Sequence, residues 1–400
     1  MSTPVLDIGC PVTSTSAHNQ ELFATAYHAG VVKRLAAQAD RDPVTAELFA
    51  VLAKAQAGVP IASACWQPEI GAAARRLRDG DVVGAVVLAL FATHALRAGG
   101  AWELRTRETI RASLGGHILD LSGRVTVTAG ADAIEIATQA AAGSPLAFTW
   151  TDAGWRLATD TPHPIWNYAA PDFVDFDGFR DVYVHAWAEP ENAGPDIIVN
   201  WPIPRSPALQ SSGLGALGAQ NIARGLGALA NAGEQYLRWV RPLFRGVAAT
   251  PLTHDDMRQS GSYTEHAGVF NCGFPGGAES IAEVIVHEVS HQNFLLLNAV
   301  YPLARDQEGE SFYSSLKGSD RPLSRVLLAY HAAANMALFW DDLGKRVALR
   351  EYYLAEQDEM NRHVDSLAVE IGRATGLTEA GQLLFRAQDE VLKQRGLVPC

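Results

Sequence analysis

Apolar positions in the first hundred residues recur at helical spacing. Gln20 to Lys33, Pro43 to Ala57 and Glu69 to Arg97 carry many Ala and Leu with dispersed charges, which predicts three helices. In the join Asp40-Arg41-Asp42-Pro43, Asp42 suits an N-cap and Pro43 a first helical turn. A short polar helix is expected over Thr106 to Leu114, ended by Gly115-Gly116. From Gly123 the period changes to two. Arg124 to Thr128 and Ala133 to Ala137 alternate around a turn at Ala129 to Asp132, a hairpin signal. Ala147 to Trp150 and Trp155 to Ala158 suggest a second hairpin, and Val182 to Val184 and Asp196 to Val199 two more short strands. Prolines 202, 204 and 207 close this stretch.

Leu209 to Arg241 reads as a loop that becomes a helix near Gly218, with Tyr236, Trp239 and Val240 on its buried side. Gly213, Gly215 and Gly218 have the glycine spacing of a dinucleotide fingerprint, but a proline-rich segment precedes them where a strand is required. Close helix packing is the simpler use of these glycines. Pro242 to Gly277 reads as mostly loop. Four helices follow over Glu279 to Asn298, Arg321 to Trp340, Lys345 to Gly372 and Thr378 to Gln394, with Thr378 able to cap the last. The expected fold is α+β and predominantly helical. It has a helical N-terminal region (1–118), a β-rich middle lobe (119–208) and a helical domain (209–400) that carries the candidate site.

Charge narrows the function. The formal net charge is −12, which argues against a nucleic-acid-binding surface because duplex binding needs a basic footprint. The longest nearly unbroken apolar run, Val82 to Ala92, covers half of a bilayer-spanning helix, so no membrane role is expected. Cys10, Cys65, Cys272 and Cys400 are scattered and form neither a disulfide framework nor a cysteine metal site. With Lys33 the first basic residue, no secretory signal is evident, and a cytoplasmic location is expected.

The chemistry concentrates in Val286-His287-Glu288-Val289-Ser290-His291. Residues four apart on a helix stand one above the other, so His287 and His291 can bind one metal without distorting the backbone. Glu288 is displaced around the helix and can address metal-bound water or a neighbouring ligand. A third ligand is required. His331, on the apolar helix 40 residues after His291, is the first candidate; Glu308 and Glu310 compete, although their acidic stretch also reads as a solvated turn. His363, among charged neighbours, reads as a surface residue. Three histidines suit zinc or iron. An iron oxygenase also needs a cationic clamp for an oxoacid. The segment from Ser311 to Pro322 offers Arg321 for a forked carboxylate pair, Tyr313, Ser314 and Ser315 as hydrogen-bond donors, and Arg325 one turn further on. Pairing of Arg321 with Asp320 or Asp306 is the structural alternative.

His287-Glu288-Val289-Ser290-His291, Tyr313-Ser314-Ser315 leading to Asp320-Arg321-Pro322-Leu323, and the helix bearing His331 together resemble the HExxH-motif family of peptide-modification proteins, 2-oxoglutarate-dependent peptide β-hydroxylases. The resemblance covers about residues 265 to 345. It implies iron(II) at His287, His291 and His331, with 2-oxoglutarate as co-substrate. The substrate would be a ribosomally made precursor peptide, hydroxylated on a side-chain β-carbon, and Glu288 would orient the site. The oxoacid carboxylate is assigned to Arg321 on charge. Peptide access is expected from the middle lobe or the loop from Thr250 to Gly277, with His254, His266 and Asn271 as contacts and Trp166, Trp187 and Trp201 as candidate anchors. Two other functions are open: a zinc metallopeptidase with Glu288 as base, and a metal-stabilised module that binds a leader peptide.

Overall fold

A computed structural model describes residues 9–12, 16–39, 43–57, 66–92, 99–114, 116–138, 145–151, 154–158, 168–169, 171–186, 213–252, 260–348 and 351–399. The fold is mixed α+β and mostly helical. Among the described residues its α-helices are α1 (Ser16–Ala39), α2 (Pro43–Ala57), α3 (Pro68–Arg78), α4 (Val82–Phe91), α5 (Leu214–Ala232), α6 (Glu234–Val240), α7 (Ala278–Val300), α8 (Leu323–Gly344), α9 (Glu351–Arg373) and α10 (Glu379–Gln394). The chain divides into two compact units. One comprises residues 1–23, 221–244 and 276–400; the other comprises 24–220 and 245–275. Asp42, Asp196 to Val199, His254, Trp166, Trp187, Trp201 and the three prolines lie outside the described residues.

The second unit holds α2 to α4 and two sheets. The first sheet runs in the order β1 (Gly100–Leu114), β2 (His117–Ala129), β3 (Ala133–Thr138), β4 (Leu146–Thr151) and β5 (Gly154–Leu157), with β6 (Tyr168–Ala169) also paired to β2. Both expected hairpins are present as β2–β3 and β4–β5. The helix expected over Thr106 to Leu114 is instead the second half of β1. Ile110, Ala112 and Leu114 are buried at a spacing of two, and β-branched Thr106 and Thr109 favour the strand. Gly116, at φ 81°, opens the turn into β2.

The second sheet has the order β10 (Ser260–Ser262), β11 (Val269–Phe274), β9 (Gly246–Pro251), β8 (Tyr183–Ala186) and β7 (Asp172–Phe173). Its three central strands are parallel: β11 with β9, and β8 with β9. Much of the stretch expected to be loop after Pro242 is therefore sheet. Val247-Ala248-Ala249 and Val269 to Phe274 are buried throughout, so they lack the alternation that marks a half-exposed strand. The helix expected over Glu69 to Arg97 breaks into α3 and α4 at Gly80. Asp81 then caps α4 by accepting from the Gly84 amide at 2.8 Å. α4, the longest apolar run, is a buried core helix.

α5 begins at Leu214, earlier than expected. A Cβ on Gly218 would lie 2.9 Å from Val184 and 3.1 Å from Ala249, so this glycine lets the helix close on the sheet. The other unit is built on α6 to α10 with one hairpin, β12 (Phe312–Ser314) and β13 (Ser319–Arg321). Ile281, Ile285 and Val289 of α7 and Leu327, Ala334 and Leu338 of α8 are fully buried. α8 begins two residues later than the pattern suggested, because Arg321 ends β13 and Pro322 is the N-cap. Among the described residues, no helix is long and apolar enough to cross a membrane.

Candidate metal centre

α7 presents the site. Its apolar residues bury one side, and Gly277 precedes its first turn in extended conformation. His287 and His291, one turn apart, have ring centroids 4.4 Å from each other at 61°. Side-chain ligand atoms of His287, Glu288 and His291 all lie within 4.8 Å of one another, the one such group among the described residues. His287 is 30% exposed, whereas Glu288 is completely buried with its Oε1 3.1 Å from His287 Nδ1. Solvent can therefore reach the imidazoles while the carboxylate grips one of them from inside.

Electrostatics differ between the two rings. Burial pulls the His287 pKa down, but the charge of the adjacent Glu288 carboxylate, with that of Glu283, leaves it raised. Burial and the neighbouring His287 push His291 down to about 3. A neutral His291 is the ligand-competent form. Its Nδ1 is buried without a hydrogen-bond partner among the described residues, as an imidazole reserved for a cation would be. On these grounds the donor set fits a divalent metal.

His331 is fully buried on α8, its ring centroid 6.0 Å from that of Phe294 on α7. It stands outside the close group of His287, Glu288 and His291, although its charge reaches His291. Its ring nitrogens approach the Gly9 and Ser290 backbone without closing a hydrogen bond of normal geometry, and burial lowers its pKa to about 4. Glu308 and Glu310 are exposed, in keeping with a solvated turn.

The hairpin sorts the other candidates. Arg321 lies opposite Phe312, Asp320 opposite Tyr313, and Ser319 opposite Ser314. The pleat therefore puts Arg321 and Ser314 on one face and Tyr313, 46% exposed, on the other. Arg321 makes no ion pair or side-chain hydrogen bond among the described residues. Asp306, its suggested partner, instead accepts from the Ser324 amide at 2.8 Å and from the Ser324 hydroxyl at 2.6 Å, fixing the start of α8. Ser315 is engaged by His363, whose Nδ1 lies 3.0 Å from Oγ, so His363 is a half-buried anchor of the hairpin rather than a surface residue. Arg325 is exposed on the first turn of α8.

Lys317 escaped the sequence reading. It occupies the hairpin turn, and its charge opposes protonation of His287, whose pKa stays raised, and adds slightly to the fall at His291. The available signal was a cation beside the glycine turn in Leu316-Lys317-Gly318. In the other unit His266 and Asn271 are buried, His266 in a single 3-10 turn and Asn271 within β11, so neither is displayed as a peptide contact. No family model matches the chain, and no curated protein matches its sequence.

Proposed function

We propose that the protein hydroxylates a side-chain β-carbon of a ribosomally made peptide, using iron(II) and 2-oxoglutarate. The observation that carries this reading is the placement of Glu288. It is wholly buried and directed at Nδ1 of His287 rather than at open solvent. A carboxylate that close to Nδ1 favours the tautomer protonated there and would leave Nε2 as the metal ligand. That role suits an orienting residue better than a base that must collect a proton from water.

His287 and His291 would hold the iron, with His331 proposed as the third protein ligand. Iron held there would supply oxygen activation, with 2-oxoglutarate as the two-electron donor: one oxygen atom would go to succinate, formed with carbon dioxide, and the other to the peptide hydroxyl. Arg321, without a carboxylate partner among the described residues, would receive the distal carboxylate of the oxoacid as a forked pair, with Ser314 on the same face and Ser315, Tyr313 and Arg325 on the same segment. Lys317 adds positive charge near the imidazoles and would favour an anionic co-substrate.

Aerobic incubation of the iron-loaded protein with 2-oxoglutarate is expected to yield succinate, even uncoupled from peptide. Arg321→Ala is expected to weaken 2-oxoglutarate binding roughly 10- to 100-fold and leave iron binding intact, in line with the loss of a charge-assisted fork. Absence of succinate across precursor peptides would overturn the reading. New peptide termini released with zinc bound would replace it with a metallopeptidase in which Glu288 is the base.

A further inference from the structure

Behind the ligands, the helical unit buries a set of amides and a hydroxyl that the proposed chemistry leaves unused. Ser290, beside His291, donates through Oγ to the Val286 carbonyl at 2.7 Å. Asn335 of α8 donates from Nδ2 to Ser290 Oγ at 3.0 Å and to the Gly9 carbonyl at 2.9 Å. Gln388 of α10 donates from Nε2 to Asn335 Oδ1 at 3.0 Å, and reaches the Gly9 and His331 carbonyls at 3.3 Å. Ser290, His331, Asn335 and Gln388 are at most 1% exposed. A Cβ on Gly9 would crowd Leu384 and come within 3.3 Å of His331 Nε2, so at this position the chain meets these helices with backbone alone.

We infer that Gly9, Asn335 and Gln388 are positioning residues for the metal centre. This rests on the reading that His287 and His291 hold a metal. The network ties three helices together through one carbonyl of the N-terminal segment. It attaches to α7 at Ser290 and Val286, the immediate neighbours of His291 and His287. It also holds α8 at His331, so the proposed third ligand and the pair are set relative to each other by the same bonds. Such outer groups govern how well ligands converge, and their loss commonly weakens metal binding 10- to 100-fold.

The test uses the full chain and cobalt(II), whose visible absorption reports both affinity and coordination geometry. Asn335→Leu, close in shape and without the amide, is expected to bind cobalt at least about tenfold more weakly with shifted bands. Gly9→Val, which leaves every network side chain in place but pushes on His331 and Leu384, is expected to move both readouts the same way. Leu367→Ala, a core substitution in α9, should lower the melting temperature without altering affinity or bands. If Asn335→Leu fails to fold, Gln388→Leu serves in its place. Unchanged affinity and spectrum in the network variants, with binding abolished by His287→Ala, would sink the network and leave the metal site standing. No cobalt binding by the unmodified protein would sink the site itself.

Discussion

Each of the two units buries histidines, and they use them in opposite ways. In the sheet-bearing unit His28, His117, His185 and His266 are at most 7% exposed. His117 packs its ring against Phe148 and Phe173, with centroids at 5.6 and 6.3 Å, and His185 meets the Gly116 carbonyl through Nε2 at 2.5 Å. These rings serve as core pieces with a polar edge. In the helical unit His287 and His291 meet edge-on on one helix face, partly open to solvent, with a buried carboxylate at one of them. Burial of an imidazole is therefore a poor mark of a ligand. Pairing at one helical turn, access from solvent and an acidic residue beside one ring are what set the candidate pair apart.

The largest expected effect would break this contrast outright. His291→Ala is expected to abolish stoichiometric cobalt(II) binding measured by visible absorption, because His287 and the more distant His331 cannot retain the ion once the one-turn pair is broken. His117→Phe, which keeps the aromatic packing, is expected to leave binding unchanged. Loss of metal from the His117 variant with retention in the His291 variant would reverse the assignment of the two units.

The next effect sharpens it through pH. Burial pushes His28, His117 and His266 down to about 4 from an ordinary value near 6.5, with the charge of His185 adding to the fall at His117. Between those values the unfolded chain takes up protons that the folded chain refuses, so the linked stability is complete above about pH 6.5 and declines as pH falls toward 4. Each of these histidines should cost on the order of 2 kcal/mol by pH 5. Urea unfolding of metal-free protein at pH 7.5 and pH 5 checks this, and His266→Phe should reduce the difference. An identical pH dependence in that variant would show that the buried ring is already compensated.

What the sequence disclosed follows the same division. The helices of the candidate site were legible because α7 and α8 are long, apolar and bounded by glycine or proline, and His287 and His291 announce themselves by spacing. The hairpins β2–β3 and β4–β5 were legible from alternation. β1 was misread because Arg and Glu between Thr106 and Leu114 looked like an exposed helix, although Ile110, Ala112 and Leu114 already keep a period of two. β9 and β11 were missed because buried parallel strands carry no polar face to alternate with. The link from Gly9 to Asn335 and Gln388 spans more than 320 residues, and no local pattern can announce such a contact.

The smallest effect separates stability from metal binding within the helical unit. Thr378 does cap the last helix, as its position suggested: its hydroxyl oxygen accepts from the Gly381 amide at 3.1 Å and donates to the Pro302 carbonyl at 2.7 Å. Thr378→Ala removes both bonds and is expected to destabilise the protein by about 1 kcal/mol, read as a shift in the urea midpoint. Cobalt affinity should stay the same, because the cap orders the start of α10 whereas the network reaches that helix at Gln388, ten residues further on. If Thr378→Ala weakened cobalt binding as much as Asn335→Leu, any loosening of α10 would suffice, and the amide network would have no special claim on the ligands. A midpoint shift with intact binding would leave the network as the route by which α10 supports the site.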